Sequence, residues 1–203
     1  IFQKHNVTQC VMVGQIAPKN LFDLRPDLRA VKLLASLPEK NAHSLFGGIA
    51  DELAKDGITL IEATPWLKPA IPEAGFHLGP EPSDEVRSDI VYGLKIARET
   101  SRLEIGQTVV VKNGTVLAVE GLEGTDACLT RGGELAEGAI AVKIPKPGHD
   151  LRFDIPCLGA QTLETCASVN IRALAFEANR TLLLDESEVD ALAQRHGITL
   201  TAV

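Results

Sequence analysis

The chain has 203 residues, an apolar fraction of 45% and a formal net charge of −7 at pH 7. This length fits one large domain or two small ones, and no run of about 18 apolar residues is present that would span a membrane. The acidic balance argues against a general nucleic-acid binder and against strong electrostatic adhesion to an anionic membrane, but it leaves open contact with lipid through an apolar surface.

The cysteines and the start of the chain say little about a site. No Cys-x-x-Cys pair occurs, which argues against a zinc knuckle or a thioredoxin-like motif and predicts buried free thiols in a reducing cytoplasm. The chain starts at Ile1 without a signal-peptide pattern. Because Ile1 comes just before a predicted strand, we expect that a segment upstream is missing. The cysteines are Cys10, Cys128, Cys157 and Cys166.

The first part of the chain has an α/β rhythm. A short apolar run predicts a buried strand at 9–13, and apolar residues at helical spacing predict a helix from about Arg25, with Pro26 in its first turn. A second helix is predicted at 45–55 and a second strand at 58–62. The order strand, helix, helix, strand is typical of α/β structure.

A stretch rich in proline and glycine, 65–82, separates this part from the rest. We interpret it as a linker, although long irregular segments in compact proteins are often functional. Ser83 is predicted to cap a helix with one apolar face. The domains are therefore predicted as the remainder of an N-terminal α/β domain at 1–64 and a C-terminal α/β catalytic domain at 83–203.

The C-terminal part carries the sharpest local signals. Asn113-Gly114 between two β-rich runs, 108–112 and 115–120, predicts a hairpin, because both turn residues need positive φ. Asp185 with Glu188 resembles a capping box at the start of the last helix. The other predicted elements are strands at 139–144, 173–176, 181–184 and 198–202 and a helix at 162–170.

The most informative segment is 143–159, which combines cations and carboxylates in a stretch broken by proline and glycine. Cations bind phosphate oxygens, while carboxylates bind a divalent metal or take a proton from water. If 150–154 is extended, Asp150, Arg152 and Asp154 point to one face. The pattern favours a site for a phosphorylated substrate, and the alternative is a solvated loop with an ion pair. The cations are Lys143, Lys146 and Arg152.

A second cluster, 120–127, comes directly after the hairpin. Its glycines let the backbone turn sharply, and Thr125 is predicted to cap a helix running to Arg131, whose first amides are natural phosphate ligands. Glu123 and Asp126 are candidate metal ligands. The alternative is a plain hairpin exit followed by a capped helix.

Other common catalytic patterns are absent from the sequence. It contains no phosphate-binding Gly-x-x-x-x-Gly-Lys-Ser/Thr loop, no Gly-x-Gly-x-x-Gly and no Gly-x-Ser-x-Gly nucleophile elbow. The histidines form no ligand-spaced pair, and only His149 lies within a candidate site. His196 is predicted to be a helix C-terminal residue.

Three stretches strongly resemble the LpxI-type UDP-2,3-diacylglucosamine pyrophosphatases, and two more are similar to them. The longest are Ile-Gly-Gln-Thr-Val-Val-Val from Ile105, the stretch 117–127 with Glu-Gly-Leu-Glu-Gly-Thr-Asp, and the stretch 142–159 with Lys-Ile-Pro-Lys-Pro-Gly-His-Asp-Leu-Arg-Phe-Asp-Ile-Pro. Residues 23–29 and 89–94 are also similar to that family. The resemblance covers nearly the whole chain and is densest after Ser83.

The resemblance implies a cytoplasmic enzyme of lipid A biosynthesis. Such an enzyme cleaves the pyrophosphate of UDP-2,3-diacylglucosamine to UMP and 2,3-diacylglucosamine 1-phosphate, with a divalent metal, usually Mg²⁺. It implies two α/β domains joined by a hinge, with the lipid between them, and a homodimer. The expected partner is a lipid-linked nucleotide sugar and not a nucleic acid, and peripheral contact with the inner membrane stays open.

The resemblance also assigns roles to residues. The family's catalytic aspartate corresponds to Asp154, and its Glu-Gly-Thr-Asp motif corresponds to 123–126. Together with the charged residues of the segments 143–159 and 120–127, this correspondence predicts Asp154, Asp126 and Lys143 as catalytic. The predicted metal ligands are Asp126, Glu123 and Asp154, and the predicted substrate contacts are Lys146, Arg152, Gly124, Thr125 and Arg131.

The chain departs from the family in its first part. The family's N-terminal glycine-rich strand-to-helix segment is absent, Gly14-Gln15 stands where Gly-Asn is common, and 41–43 replaces an acidic pair. We expect from this a fragment or a divergent member. A second hypothesis is therefore a non-catalytic protein that binds lipid or nucleotide, in which the same cations grip phosphate without a metal.

Overall fold

The computed structural model describes residues 1–13, 27–37, 42–146, 148, 150–153 and 155–203. These residues form two compact units. The first consists of the described residues up to 66 together with 150–153, and the second of the described residues from 67 to 148 together with 155–203. Both combine helices and strands, so the predicted α/β class with two domains is confirmed.

The first unit contains a pair of parallel strands and two helices. β1 (Gln9–Cys10) pairs with β2 (Thr59–Leu60), and α1 (Leu28–Ser36) and α2 (Ala42–Lys55) lie between them in the chain. Helix α1 begins at Leu28, where the Asp27 side chain caps it by accepting a hydrogen bond from the Ala30 amide at 2.8 Å. The predicted start near Arg25 lies outside the described residues.

The second unit is built on a six-stranded mixed sheet. Its strand order is β3-β10-β8-β6-β4-β5, in which β6, β8 and β10 are parallel and the others antiparallel to their neighbours. The elements after α3 (Thr64–Leu67) are β3 (His77–Leu78), α4 (Asp84–Arg102), β4 (Thr108–Lys112), β5 (Thr115–Val119), α5 (Thr125–Leu135), β6 (Ile140–Lys143), β7 (Cys157–Leu158), α6 (Ala160–Ser168), β8 (Ala173–Phe176), β9 (Leu182–Leu183), α7 (Glu186–His196) and β10 (Thr199–Ala202).

Strand β3 lies within the stretch interpreted as a linker, 65–82, and pairs antiparallel with β10 at the edge of the sheet. The same stretch holds most of α3 and a 3-10 turn at Lys68–Ala70. The sequence did not predict this strand, because it is only two residues long and lies in a stretch rich in proline and glycine. At Gly79 a Cβ would lie 2.1 Å from the Ile198 carbonyl oxygen, so this position needs glycine.

Successive side chains along the central strands point to opposite faces of the sheet, so the core has two layers. Val109 and Val111 face α4, while Val110 between them faces α5, α6 and α7. Two glycines let the helices approach the sheet closely. A Cβ on Gly93 of α4 would lie 2.6 Å from Val142 Cγ2, and one on Gly132 of α5 would lie 2.5 Å from Val110 Cβ.

Several local predictions are confirmed and two are wrong. The hairpin turns at Asn113 and Gly114, which have φ of 47° and 69°, and the Ser83 hydroxyl caps α4 by accepting from the Val86 amide at 3.4 Å. The backbone of Asp185 has a left-handed conformation, and no described side chain caps α7. The capping-box prediction is therefore wrong. The cap of α5 is Gly124 and not Thr125, because the sharp turn needs its φ of 86°.

None of the four cysteines, all of them described, forms a disulfide, and they differ in exposure. Cys128 and Cys166 are buried as predicted, whereas Cys10 is half-buried and Cys157 is exposed. Burial raises the pKa of Cys128 and of Cys166 to about 12. Both buried thiols therefore stay protonated at neutral pH and belong to the core.

A buried carboxylate joins the hairpin to α4. Asp89 is 7% exposed, and its two oxygens accept from the amides of Asn113 at 2.8 Å and Gly114 at 2.9 Å. Asp89→Ala is expected to lower the free energy of unfolding by about 2 kcal/mol, because it removes two hydrogen bonds to a charged group. Urea denaturation measures this loss.

Glu85→Ala is the matched control for Asp89→Ala. Glu85 is an exposed carboxylate in the first turn of the same helix, and its loss is expected to cost less than about 1 kcal/mol. Equal costs for both variants would contradict the role given to Asp89.

Candidate functional site

The candidate site lies at one edge of the six-stranded sheet. Strands β5, β6 and β8 run in the same direction, so their carboxyl ends meet at this edge. Glu120 comes directly after β5, Lys143 ends β6 and Glu177 comes directly after β8. In α/β proteins ligands bind outside the carboxyl ends of parallel strands.

Two helices begin at the same edge after a glycine. Gly124 precedes α5 and Gly159 precedes α6, and in the described part of the chain no side chain caps either helix. The Gln161 amide donates to Asp126 Oδ2 at 2.9 Å and thereby joins the two first turns. Uncapped first-turn amides carry partial positive charge and suit a phosphate group.

Lys143 brings a full positive charge to the first turn of α5. Its ammonium donates to Thr125 Oγ1 at 3.1 Å, and within the described part of the chain it forms no ion pair. Thr125 Oγ1 lies 3.3 Å from Glu120 Oε1 and 3.4 Å from Thr108 Oγ1. The predicted residues Gly124, Thr125, Asp126 and Lys143 are thus brought together.

Glu120 is a member of this group to which the sequence assigned no role. It begins the second cluster, but neither the motif nor its charge distinguished it from Glu123. Among the described residues its Oε2 is buried without a hydrogen-bond partner. Its position directly after β5, at the edge where parallel strands end, is the signal that could have found it.

Glu123 and Arg131 pair with each other across the loop that leads to α5. Their side chains meet at 2.5 Å, Arg131 also donates to the Val119 carbonyl at 2.8 Å, and Glu123 Oε2 accepts from the Gly121 amide at 3.0 Å. The hydrogen bond from Arg131 lowers the pKa of Glu123. Both residues hold the loop in place, while their predicted contacts with metal and substrate stay predictions.

Lys146 lies near the same edge and contacts two other charged residues. Its ammonium lies 2.5 Å from Glu104, and its carbonyl accepts from Arg180 at 3.5 Å. Arg180, which also pairs with Glu177 at 3.3 Å, is a cation that sequence reasoning missed. It is distant in the chain and reaches this edge only because β8 is parallel to β6.

Arg152 belongs to the first unit, whereas Lys143 and Lys146 belong to the second. Residues 151–153 form a turn, so the condition of an extended segment, under which Asp150 and Arg152 would point to one face, is not met. The turn forms because Arg152 folds back onto Asp150, with donor–acceptor distances of 2.6–3.1 Å. The Phe153 ring lies 5.6 Å from that of Phe46 in α2.

Some predicted features lie beyond these observations. Asp154 and His149 are outside the described residues. Among the residues that are described, no three of His, Cys, Asp and Glu are grouped so as to hold a metal ion by themselves. No described helix has the length and apolar character needed to cross a membrane.

The Glu123–Arg131 pair predicts a pH dependence of stability. A carboxylate whose pKa is lowered on folding stabilises above its unfolded value of about 4.3, and this contribution is lost as the pH falls through the lower folded value. Glu123→Gln is therefore expected to lower the thermal midpoint at pH 7, by a difference that shrinks as the pH falls below about 4.3. Thermal unfolding at a series of pH values measures the difference.

Glu134→Gln serves as the control for this pH series. Glu134 is exposed on the same helix, and its variant is expected to keep the midpoint of the unsubstituted protein throughout. A Glu123→Gln difference of the same size at pH 3 and pH 7 would contradict the ion-pair interpretation.

Comparison with known proteins identifies the family. The chain matches the family model described as LpxI N-terminal domain over residues 1–70 and that described as LpxI C-terminal domain over residues 73–201. It is 33% identical, over an alignment of 218 residues, to UDP-2,3-diacylglucosamine pyrophosphatase LpxI of Caulobacter vibrioides. That alignment covers 100% of this chain and 78% of the relative. With both domain models matched in order and the whole of this chain aligned with that relative, the chain belongs to the LpxI family.

Proposed function

We propose that this protein hydrolyses the pyrophosphate of UDP-2,3-diacylglucosamine to UMP and 2,3-diacylglucosamine 1-phosphate, as a step of lipid A biosynthesis. The relative from Caulobacter carries the name of this activity. The observation that most supports it here is the Lys143 ammonium, 3.1 Å from Thr125 in the first turn of α5. A lysine charge beside uncapped helix amides suits a pyrophosphate oxygen.

In the proposed reaction the protein supplies mainly position and charge. Lys143 and the first-turn amides of α5 neutralise the pyrophosphate, with Lys146 and Arg152 as further cations. Water attacks one phosphorus, and the negative charge that grows on the leaving phosphate oxygen is stabilised by the same cations. Asp154 is the residue that the family resemblance assigns to catalysis.

The donor set at the sheet edge fits a divalent metal held partly by the substrate. Mg²⁺ in phosphate sites takes one or two carboxylates and completes its shell with substrate oxygens and water. Asp126 would be one such ligand, with Asp154 and Glu123 as the other predicted ligands. Asp126 is better placed than Glu123, both of whose oxygens are engaged by Arg131 and Gly121. When bound, the metal would add Lewis-acid charge stabilisation.

The setting of the enzyme is also a proposal. The family resemblance supports a cytoplasmic homodimer that meets its lipid-linked substrate by peripheral contact with the inner membrane. Sedimentation of the purified protein tests the dimer. Flotation with vesicles of phosphatidylethanolamine and phosphatidylglycerol tests the membrane contact.

The direct test of the function is release of UMP from UDP-2,3-diacylglucosamine by the purified chain. Dialysis against a chelator followed by addition of Mg²⁺ tests the metal in the same assay, and we expect activity to fall and then return. Binding of the substrate without UMP release at any metal concentration would support the non-catalytic alternative.

Lys143→Met is expected to lower kcat/KM by about tenfold or more, because a charge-assisted hydrogen bond contributes roughly 1.5–3 kcal/mol. UMP release at several substrate concentrations measures the change. Lys95→Met is the matched control, since Lys95 is exposed on α4 on the opposite face of the sheet. Equal kcat/KM values in both variants would remove Lys143 from the site.

Asp154→Asn is expected to abolish turnover and to leave substrate binding largely intact. The reason is the family correspondence, since the substitution keeps the size of the side chain and removes its charge. UMP release and co-purification of the lipid are measured together. Activity within about tenfold of the unsubstituted protein, about the effect of one modest hydrogen bond, would contradict the assignment.

A further inference from the structure

We infer that Glu120 is a positioning residue, which orients Lys143 towards the substrate through the hydroxyl of Thr125. The inference rests on the proposed function, in which Lys143 binds the pyrophosphate. It concerns a carboxylate to which neither the sequence motifs nor the family resemblance gave a role.

The hydrogen bonds around Thr125 can be assigned in only one consistent way. The Lys143 ammonium has donors and no acceptor, so Thr125 Oγ1 accepts from it at 3.1 Å. An ionised carboxylate only accepts, so the single hydroxyl proton of Thr125 goes to Glu120 Oε1 at 3.3 Å. The hydroxyl of Thr108, which is fully buried, then donates to Thr125 at 3.4 Å.

This assignment makes one directed chain from ammonium to hydroxyl to carboxylate. Its negative end fixes the direction of the Thr125 proton and leaves the lone pairs of that oxygen facing Lys143 and Thr108. Charge at one end strengthens each bond along such a chain. Removing the carboxylate frees the Thr125 hydroxyl to rotate, and Lys143 then loses its fixed acceptor.

The second oxygen of Glu120 argues against a purely structural role. In the described part of the chain Oε2 is buried with no hydrogen-bond partner, and a buried acceptor without a donor costs stability. A glutamate kept only to hold the loop would have both oxygens engaged, as Glu123 has three residues later. A buried polar atom left unsatisfied calls for an explanation, and orientation of Lys143 supplies one.

The test is a double-substitution cycle in which UMP affinity is measured by calorimetry. Glu120→Ala is expected to weaken UMP binding by about tenfold in the unsubstituted protein and by less than about twofold in the Lys143→Met background. The reason is that residues acting through one another are not additive. A residue that merely supported the fold would weaken binding equally in both backgrounds.

Two further variants separate orientation from folding. Thr125→Val removes the connecting hydroxyl and should reproduce the loss seen with Glu120→Ala, while Thr125→Ser should restore affinity to within about twofold. The urea midpoint of Glu120→Ala should fall little, because removal of an unpartnered buried oxygen offsets the loss of the hydrogen bond from Thr125. Glu134→Ala, on the exposed side of α5, is the control that should change neither affinity nor midpoint.

The outcomes distinguish this inference from the proposed function. Equal losses with Glu120→Ala in both Lys143 backgrounds, or unchanged affinity, overturn the inference even if UMP is released from the full substrate. If Glu120→Ala weakens UMP binding only when Lys143 is present, and the protein releases no UMP from the full substrate, the inference is supported and the proposed hydrolase function is overturned. Absence of both UMP binding and UMP release overturns both.

Discussion

The arrangement of the second unit depends on the parallel pairing of β6 with β8. Ile140 to Lys143 align with Ala173 to Phe176, and each strand is buried on both faces. Because the strands are parallel, the segments that leave their carboxyl ends emerge at the same edge. Lys143, Lys146 and Arg180 therefore share that edge, although Arg180 is distant in the chain. Burial on both faces holds the two strands in register and so fixes where each of them ends.

Glycines serve this edge in two ways. Gly93 and Gly132 let α4 and α5 lie close against opposite faces of the sheet, where any Cβ would overlap a valine. Gly124 and Gly159 begin α5 and α6 without a capping side chain, as far as the described residues extend. The first group fixes the helix axes, and the second leaves first-turn amides for a ligand. Close packing and uncapped first-turn amides thus arise from the same residue type.

The charges near the site are mostly engaged with one another. Glu123 with Arg131 and Lys146 with Glu104 are ion pairs at exposed or half-exposed positions. In the first unit, Arg152 pairs with Asp150 in the same way. Such pairs hold loops in one conformation and add little to the free energy of unfolding. Lys143 differs, because its described partner is a neutral hydroxyl. An ammonium whose charge is not neutralised by a carboxylate is the one best suited to a phosphate.

The sequence by itself determined the α/β class, the hairpin at Asn113-Gly114, the Ser83 cap and the motifs that mark the LpxI family. These features depend on local pattern and turn chemistry, which neighbours in the chain supply. The Thr125 and Asp185 caps were assigned wrongly because residue type alone does not fix φ. Only the tertiary structure placed Glu120 and Arg180 beside Lys143 and Lys146 and assigned Arg152 to the other unit. Strand pairing and the path of the chain determine which distant residues become neighbours. Neither can be inferred from the spacing of residues in the sequence.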